Sequence, residues 1–175
     1  TINSTGQFLF FVPQAYDIVI NEIMTDFSPA PNSIPAYEYI ELYNRTNYRA
    51  ELRGSKLSDA TSSVIIPNII IPADSFYVLA SSAAANAFGN TVNVIGVPGL
   101  PSLNDTGDDL VLRDANGNII SLAFYRDSWY NDPLKNSGGW SLEQIDPNSS
   151  CSGKPNWKAA VDNSGGTPGR KNSVN

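Results

Sequence analysis

Glu22, Glu38, Glu41 and Glu143 are the residues of this chain whose type could support hydrolysis, and all four fall in or beside predicted strands. Two carboxylates about 5–9.5 Å apart are the machinery of most glycosidases, one acting as acid and the other as base or nucleophile. That chemistry also needs a cleft and a shifted pKa, whereas strand carboxylates more often pair with Arg, Lys or backbone amides. The chain has no histidine, which removes the Ser-His-Asp triad, the His-paired thiol and the His-ligated zinc site. The single Cys151 excludes an intrachain disulfide and a cysteine-ligated metal centre. It reads as an inert loop thiol without a base beside it.

Oxygen-rich loops are the remaining candidates for cation chemistry. Asn104-Asp105-Thr106-Gly107-Asp108-Asp109 places three acids and an amide within six residues, in a stretch with no Lys or Arg between Lys56 and Arg113. Such hard ligands suit Ca²⁺, and Asn104, Asp105 and Asp108 form the candidate weak site. The competing reading is an Asx turn entering a strand. Asp114-Ala115-Asn116-Gly117-Asn118 resembles the start of a calcium loop but has Tyr125 where the twelfth-position acid belongs. A hairpin turn, with Asn116 and Gly117 both at positive φ, accounts for it better. No obligatory cofactor is expected.

Binding chemistry concentrates elsewhere. Arg45, Arg49, Arg53 and Lys56 form the one basic cluster, and Tyr37, Tyr39, Tyr43 and Tyr48 crowd the same region. With Trp129-Tyr130 these suggest an interaction surface of Tyr39, Tyr43, Arg45, Tyr48, Arg49, Trp129 and Tyr130. Half of such alternating aromatics should instead be core. A net charge of −6 offers no basic excess to displace phosphate counterions, which argues against nucleic acid as partner. No apolar run approaches the 18 residues of a transmembrane helix. The N-x-[ST] sequons at Asn3, Asn44, Asn104 and Asn148 are about as many as chance supplies.

The elements that must position these residues are strands. Pro and Gly punctuate the chain, and helical periodicity is nearly absent. Residues 18–24, 38–44, 57–59, 64–66, 69–71, 76–79, 92–97, 109–113 and 141–146 read as strands, with a hairpin at Asn116-Gly117. In the first, alternation sets Val19, Asn21 and Ile23 against Ile18, Ile20 and Glu22. One short helix is expected over 81–88, capped by Ser81 or Ser82 and ended by Gly89. The expected architecture is an all-β antiparallel sandwich with at most that helix. Its core should contain Val19, Ile23, Ile40, Leu42, Val78, Leu110, Leu112, Leu142 and Trp157. At 175 residues and 16% charged, one domain is expected over 16–175. Residues 1–15, including the apolar run Phe8–Val12, read as an extension or the end of a preceding domain.

Residues 18–24 (IVINEIM) followed by 38–44 (EYIELYN) closely resemble the bacterial branch of the lamin tail domain family. Leu57-Ser58-Asp59, Ile71-Pro72-Ala73, Leu103-Asn104-Asp105, Gly139-Trp140-Ser141-Leu142-Glu143, Asn156-Trp157 and Gly165-Gly166-Thr167-Pro168-Gly169 continue the resemblance in order, over residues 16–174. It implies an immunoglobulin-like β-sandwich without assigned catalytic residues, borne by secreted or cell-surface multidomain proteins. Where the family usually has Gly-Trp before the Leu-Ser-Asp strand, this chain has Gly54-Ser55-Lys56, with Trp129 or Trp140 expected to compensate. The polar Asn21, Glu22, Asn44 and Asp59 are expected at strand ends, tying loops to the sandwich. The functional expectation is a non-catalytic interaction and scaffolding module with a protein or glycan partner. A glycan-binding accessory domain is the alternative, and a carboxylate- or metal-dependent hydrolase the rival.

Overall fold

Short β-branched runs separated by Pro, Gly and Asx turns fold into strands that share two layers. The computed structural model describes residues 11–175, so most of the Phe8–Val12 run lies outside the described residues. The strands are β1 (Ile18–Met24), β2 (Tyr39–Asn44), β3 (Ala50–Glu51), β4 (Lys56–Ser58), β5 (Ser63–Ile65), β6 (Ile70–Ile71) and β7 (Ser75–Ala80). Helix α1 (Ser82–Phe88) follows, then β8 (Val94–Gly96), β9 (Leu110–Arg113), β10 (Ile119–Ala123), β11 (Leu142–Gln144) and β12 (Trp157–Ala159). The larger sheet has the order β12-β11-β1-β2-β7-β8, the smaller β10-β9-β4-β5, and β3 pairs with β6. Between the sheets lies the main core, which includes Ile18, Ile20, Ile23, Ile40, Leu42, Leu57, Leu79, Leu110, Leu112, Leu142 and Trp157. Burying each such aliphatic side chain contributes about 1.5–3 kcal/mol.

Strict alternation fails in β1, and the failure decides the chemistry of the molecule. The register with β2 slips between Ile20 and Glu22, so a bulge at Asn21 puts Ile20 and Ile23 on the same, inward face. Val19 is fully buried but outside the main core, contrary to the expectation. Glu22 and Met24 consequently share the outer face of the sheet. Val78 also lies there, in a second cluster with Met24, Tyr39, Ala80, Ala84 and Phe88. Asn21 and Glu22 are thus mid-strand rather than at a strand end. Asn44 and Asp59 do tie loops: Asn44 Nδ2 donates to the carbonyls of Tyr48, Ile71 and Pro72, and Asp59 Oδ1 accepts from the Thr61 and Ser62 amides.

Ser81 caps α1 through its hydroxyl on the Ala84 amide and Gly89 ends it, as the sequence predicts. The helix carries the chain across the outer face, so β8 pairs with β7 in parallel. That one parallel pair departs from the all-antiparallel expectation. Four short 3₁₀ turns, at Asp127–Trp129, Lys135–Ser137, Pro147–Ser152 and Lys154–Asn156, accompany α1 among the described residues. The β9–β10 hairpin forms, but only Gly117 has positive φ, at 89°. Asp114 closes the loop instead, its Oδ1 accepting from the amides of Asn116 and Asn118. No helix among the described residues is long and apolar enough to cross a membrane.

Candidate functional site

Three of the four candidate carboxylates come together on the outer face of the larger sheet. Register sets Glu22 beside both Glu41 and Glu143 across β2-β1-β11, and all three are fully buried. The C-terminal segment 165–175 covers them. Glu22 Oε1 accepts from the Thr167 amide at 2.8 Å and from Tyr39 Oη at 2.5 Å. Glu41 accepts from Asn21 Nδ2 at 2.9 Å and from the Gly169 amide at 2.5 Å. Glu143 accepts from Thr167 Oγ1 at 2.6 Å, Ser173 Oγ at 2.7 Å and the Val174 amide at 3.2 Å. Asn172 Nδ2 completes the seam, donating to the carbonyls of Asn21 and Gln144. Among the described residues, no Lys or Arg lies within ion-pair distance of the three glutamates.

The electrostatics follow from that arrangement. Burial, reinforced by the Glu143 charge, raises the Glu22 carboxyl from 4.5 to about 7. Burial and the Glu22 charge push Glu41 well above the usual carboxylate range. Such values resemble those of a catalytic acid, but all three glutamates are fully shielded from solvent. Glu38 stands apart: it precedes β2, its Oε2 accepts from the Leu103 amide, and partial burial raises its pKa.

The candidate calcium loop is a turn with hydrogen bonds inside it. Asn104 Nδ2 donates to Asp108 Oδ2 at 2.9 Å, and Asp108 Oδ1 accepts from the Asp109 amide. Asp109 pairs with Arg126 at 2.8 Å, a cation that chain separation hid from the sequence reading. Asp105 is exposed; partial desolvation and then the charge of Asp26 raise its carboxyl pKa. Among the described residues no group of three or more His, Cys, Asp or Glu converges as metal ligands. Asn104, Asp105 and Asp108 lie on an Asx-rich turn whose two acids fall short of such a group. Calorimetry with millimolar Ca²⁺ should give no heat above dilution, unchanged in Asp105→Asn; a saturable signal lost in that variant would restore the site.

The candidate interaction residues separate into three groups. Tyr39 and Tyr130 are buried, the latter 3.4 Å from the Thr25 hydroxyl, and both leave the surface set. Tyr43, Arg45, Tyr48 and Arg49 gather on one side of the sandwich. Tyr43 stacks on Phe76 at 4.7 Å, and its hydroxyl donates to Asp74. Arg45 donates to the Pro147 carbonyl, and exposed Tyr48 stacks on Phe11 at 5.4 Å. Tyr48 and Arg49 line a cleft of about 520 Å³ that also reaches Arg53, Ser55 and Ile120. Trp129 and Trp140 pack against the main core, and neither lines this cleft beside Ser55. Trp129 instead lies against Trp157, ring centroids 6.1 Å apart, at a separate cleft. Cys151 is exposed on the Pro147–Ser152 turn.

Sequence reasoning missed what the glutamates bind. The signal available was the Gly165-Gly166-Thr167 run, which lets backbone amides approach buried acceptors. No curated protein matches the chain. The lamin tail domain family model matches residues 12–127, from the segment before β1 to the turn after β10. The carboxylate seam is completed beyond that match, by β11 and the C-terminal segment. With two thirds of its length matched and the immunoglobulin-like sandwich in place, this chain belongs to the lamin tail domain family.

Proposed function

We propose that the chain is a non-catalytic interaction and scaffolding module of a secreted or cell-surface multidomain bacterial protein. The observation that carries this reading is the sealing of Glu22, Glu41 and Glu143 under the C-terminal segment. Hydrolysis requires carboxylates at a cleft within reach of substrate and water. Here they hold backbone amides and hydroxyls of the chain itself. Membership in the lamin tail domain family supports the same reading. The surface offered to a protein partner is the one carrying Arg45, Tyr48 and Arg49, where aromatic area and guanidinium groups adjoin. The secreted setting rests on the likeness to the bacterial branch of the family.

Chromogenic glycosides and phosphodiesters, assayed with and without Mg²⁺ or Ca²⁺, test the class. No turnover above the Glu41→Gln and Glu143→Gln variants is expected. Turnover that either substitution abolishes, with the melting temperature retained, would replace the module by a hydrolase.

A further inference from the structure

The open edge of the larger sheet carries a second cleft, distinct in residues and chemistry from the one beside Tyr48. Strand β12 is the edge strand, and its Ala159 amide donates to the Tyr130 carbonyl, fastening the Asp127–Trp129 turn alongside. The cleft between them measures about 360 Å³. Its lining includes Trp129, Asn131, Lys154, Pro155, Trp157 and Lys158, and no carboxylate. Trp157 is almost fully buried and anchors the floor in the main core, leaving the half-buried Trp129 as the accessible indole. Asn131 is exposed and held at φ 53°, the left-handed region that Asn enters more readily than most non-glycine residues.

The charges at this cleft run against the rest of the molecule. In a chain of net charge −6, Lys154 and Lys158 are both exposed, and neither has a carboxylate within ion-pair distance among the described residues. Lys135, by contrast, is engaged by the Ala160 carbonyl and the Trp140 ring. Flat indole surface, an amide able to donate and accept, and two unpaired ammonium groups call for a ligand with an apolar ring face, hydroxyls and negative charge.

We propose that this cleft binds an acidic glycan, a uronate-bearing chain whose sugar ring stacks on Trp129 while its carboxylates meet Lys154 and Lys158. An acidic peptide would satisfy the lysines but supplies no ring hydroxyls for Asn131. This site shares no residue with the proposed protein surface, so either can fail without the other.

Tryptophan fluorescence and calorimetry with an oligogalacturonate, a neutral cello-oligosaccharide and poly-glutamate decide it. The oligogalacturonate should bind saturably, at least about tenfold tighter than either comparison polymer, and more weakly as salt rises. Trp129→Ala should weaken binding about tenfold. Lys154→Gln with Lys158→Gln, both exposed, should weaken it at least about tenfold while the variant keeps a cooperative melt. No binding, equal binding of poly-glutamate, or an oligogalacturonate affinity unchanged in the lysine double variant would overturn the proposal.

Discussion

Raising the pH through about 7 should destabilise this domain, with the loss traced to the carboxylate seam under the C-terminal segment. The folded pKa of Glu22, about 7, lies above its ordinary value of 4.5, so the fold favours the protonated acid. Its contribution is complete below pH 4.5 and disappears as pH rises through about 7. A shift of that size corresponds to on the order of 3 kcal/mol, or roughly 6–12 °C in melting temperature for a domain of this length. Glu41 is displaced in the same direction and adds to the slope. The charged and titratable groups facing the pair are Glu143 and Tyr39, with Arg170 near enough to feel Glu22 while paired to Asp162. Asp59, Asp114, Asp146 and Asp162 act oppositely, being held below their usual value by hydrogen bonds from their own turns and, at Asp162, also from Arg170. Their contribution is present above pH 3.8 and fades as pH falls, but they are only partly buried and solvent-screened. Stability should therefore peak between about pH 3.8 and 4.5 and decline from there to about pH 7. Thermal melts from pH 4 to 9 on the parent and on Glu22→Gln with Glu41→Gln measure this. The double variant should lose the alkaline decline, and an unchanged slope would place its origin elsewhere.

Gly166→Ala should strongly destabilise the domain through the carboxylate seam. A Cβ there would stand 2.6 Å from Glu22 Oε1, 2.7 Å from Tyr39 Oη and 2.8 Å from Ser141 Oγ. All three are buried polar atoms on the central strands or beside them, so the segment must lift rather than a side chain rotate. Lifting it removes the Thr167 donors from Glu22 and Glu143 together and leaves buried carboxyls without partners. The expected cost is about 3 kcal/mol or more. Gly117→Ala provides the contrast. Its Cβ meets nothing within 4 Å and strains only a positive φ, for about 1 kcal/mol. Urea titration of both variants compares them; equal midpoints would show that the seam contributes little.

The features legible along the chain were local ones. Apolar runs, Pro and Gly spacing and one alanine-rich stretch specify β1, β2, β7, β9 and α1, because period and capping are properties of neighbouring residues. Inward faces at Ile40, Leu42, Leu110, Leu112 and Leu142 were legible for the same reason. The tertiary structure alone decided the rest. A one-residue bulge at Asn21, set by pairing with β2, inverted the second half of β1 and turned Glu22 outward. Pairing of β1 with β2 and β11 made one cluster of three glutamates separated by up to 121 positions, and the chain's last residues covered it. Arg126 reached Asp109 across 17 positions and paired one of the three acids of that loop. Spacing along a chain fixes which residues share a strand face; which faces meet, and which charges they bring together, depends on long-range pairing that no local pattern encodes.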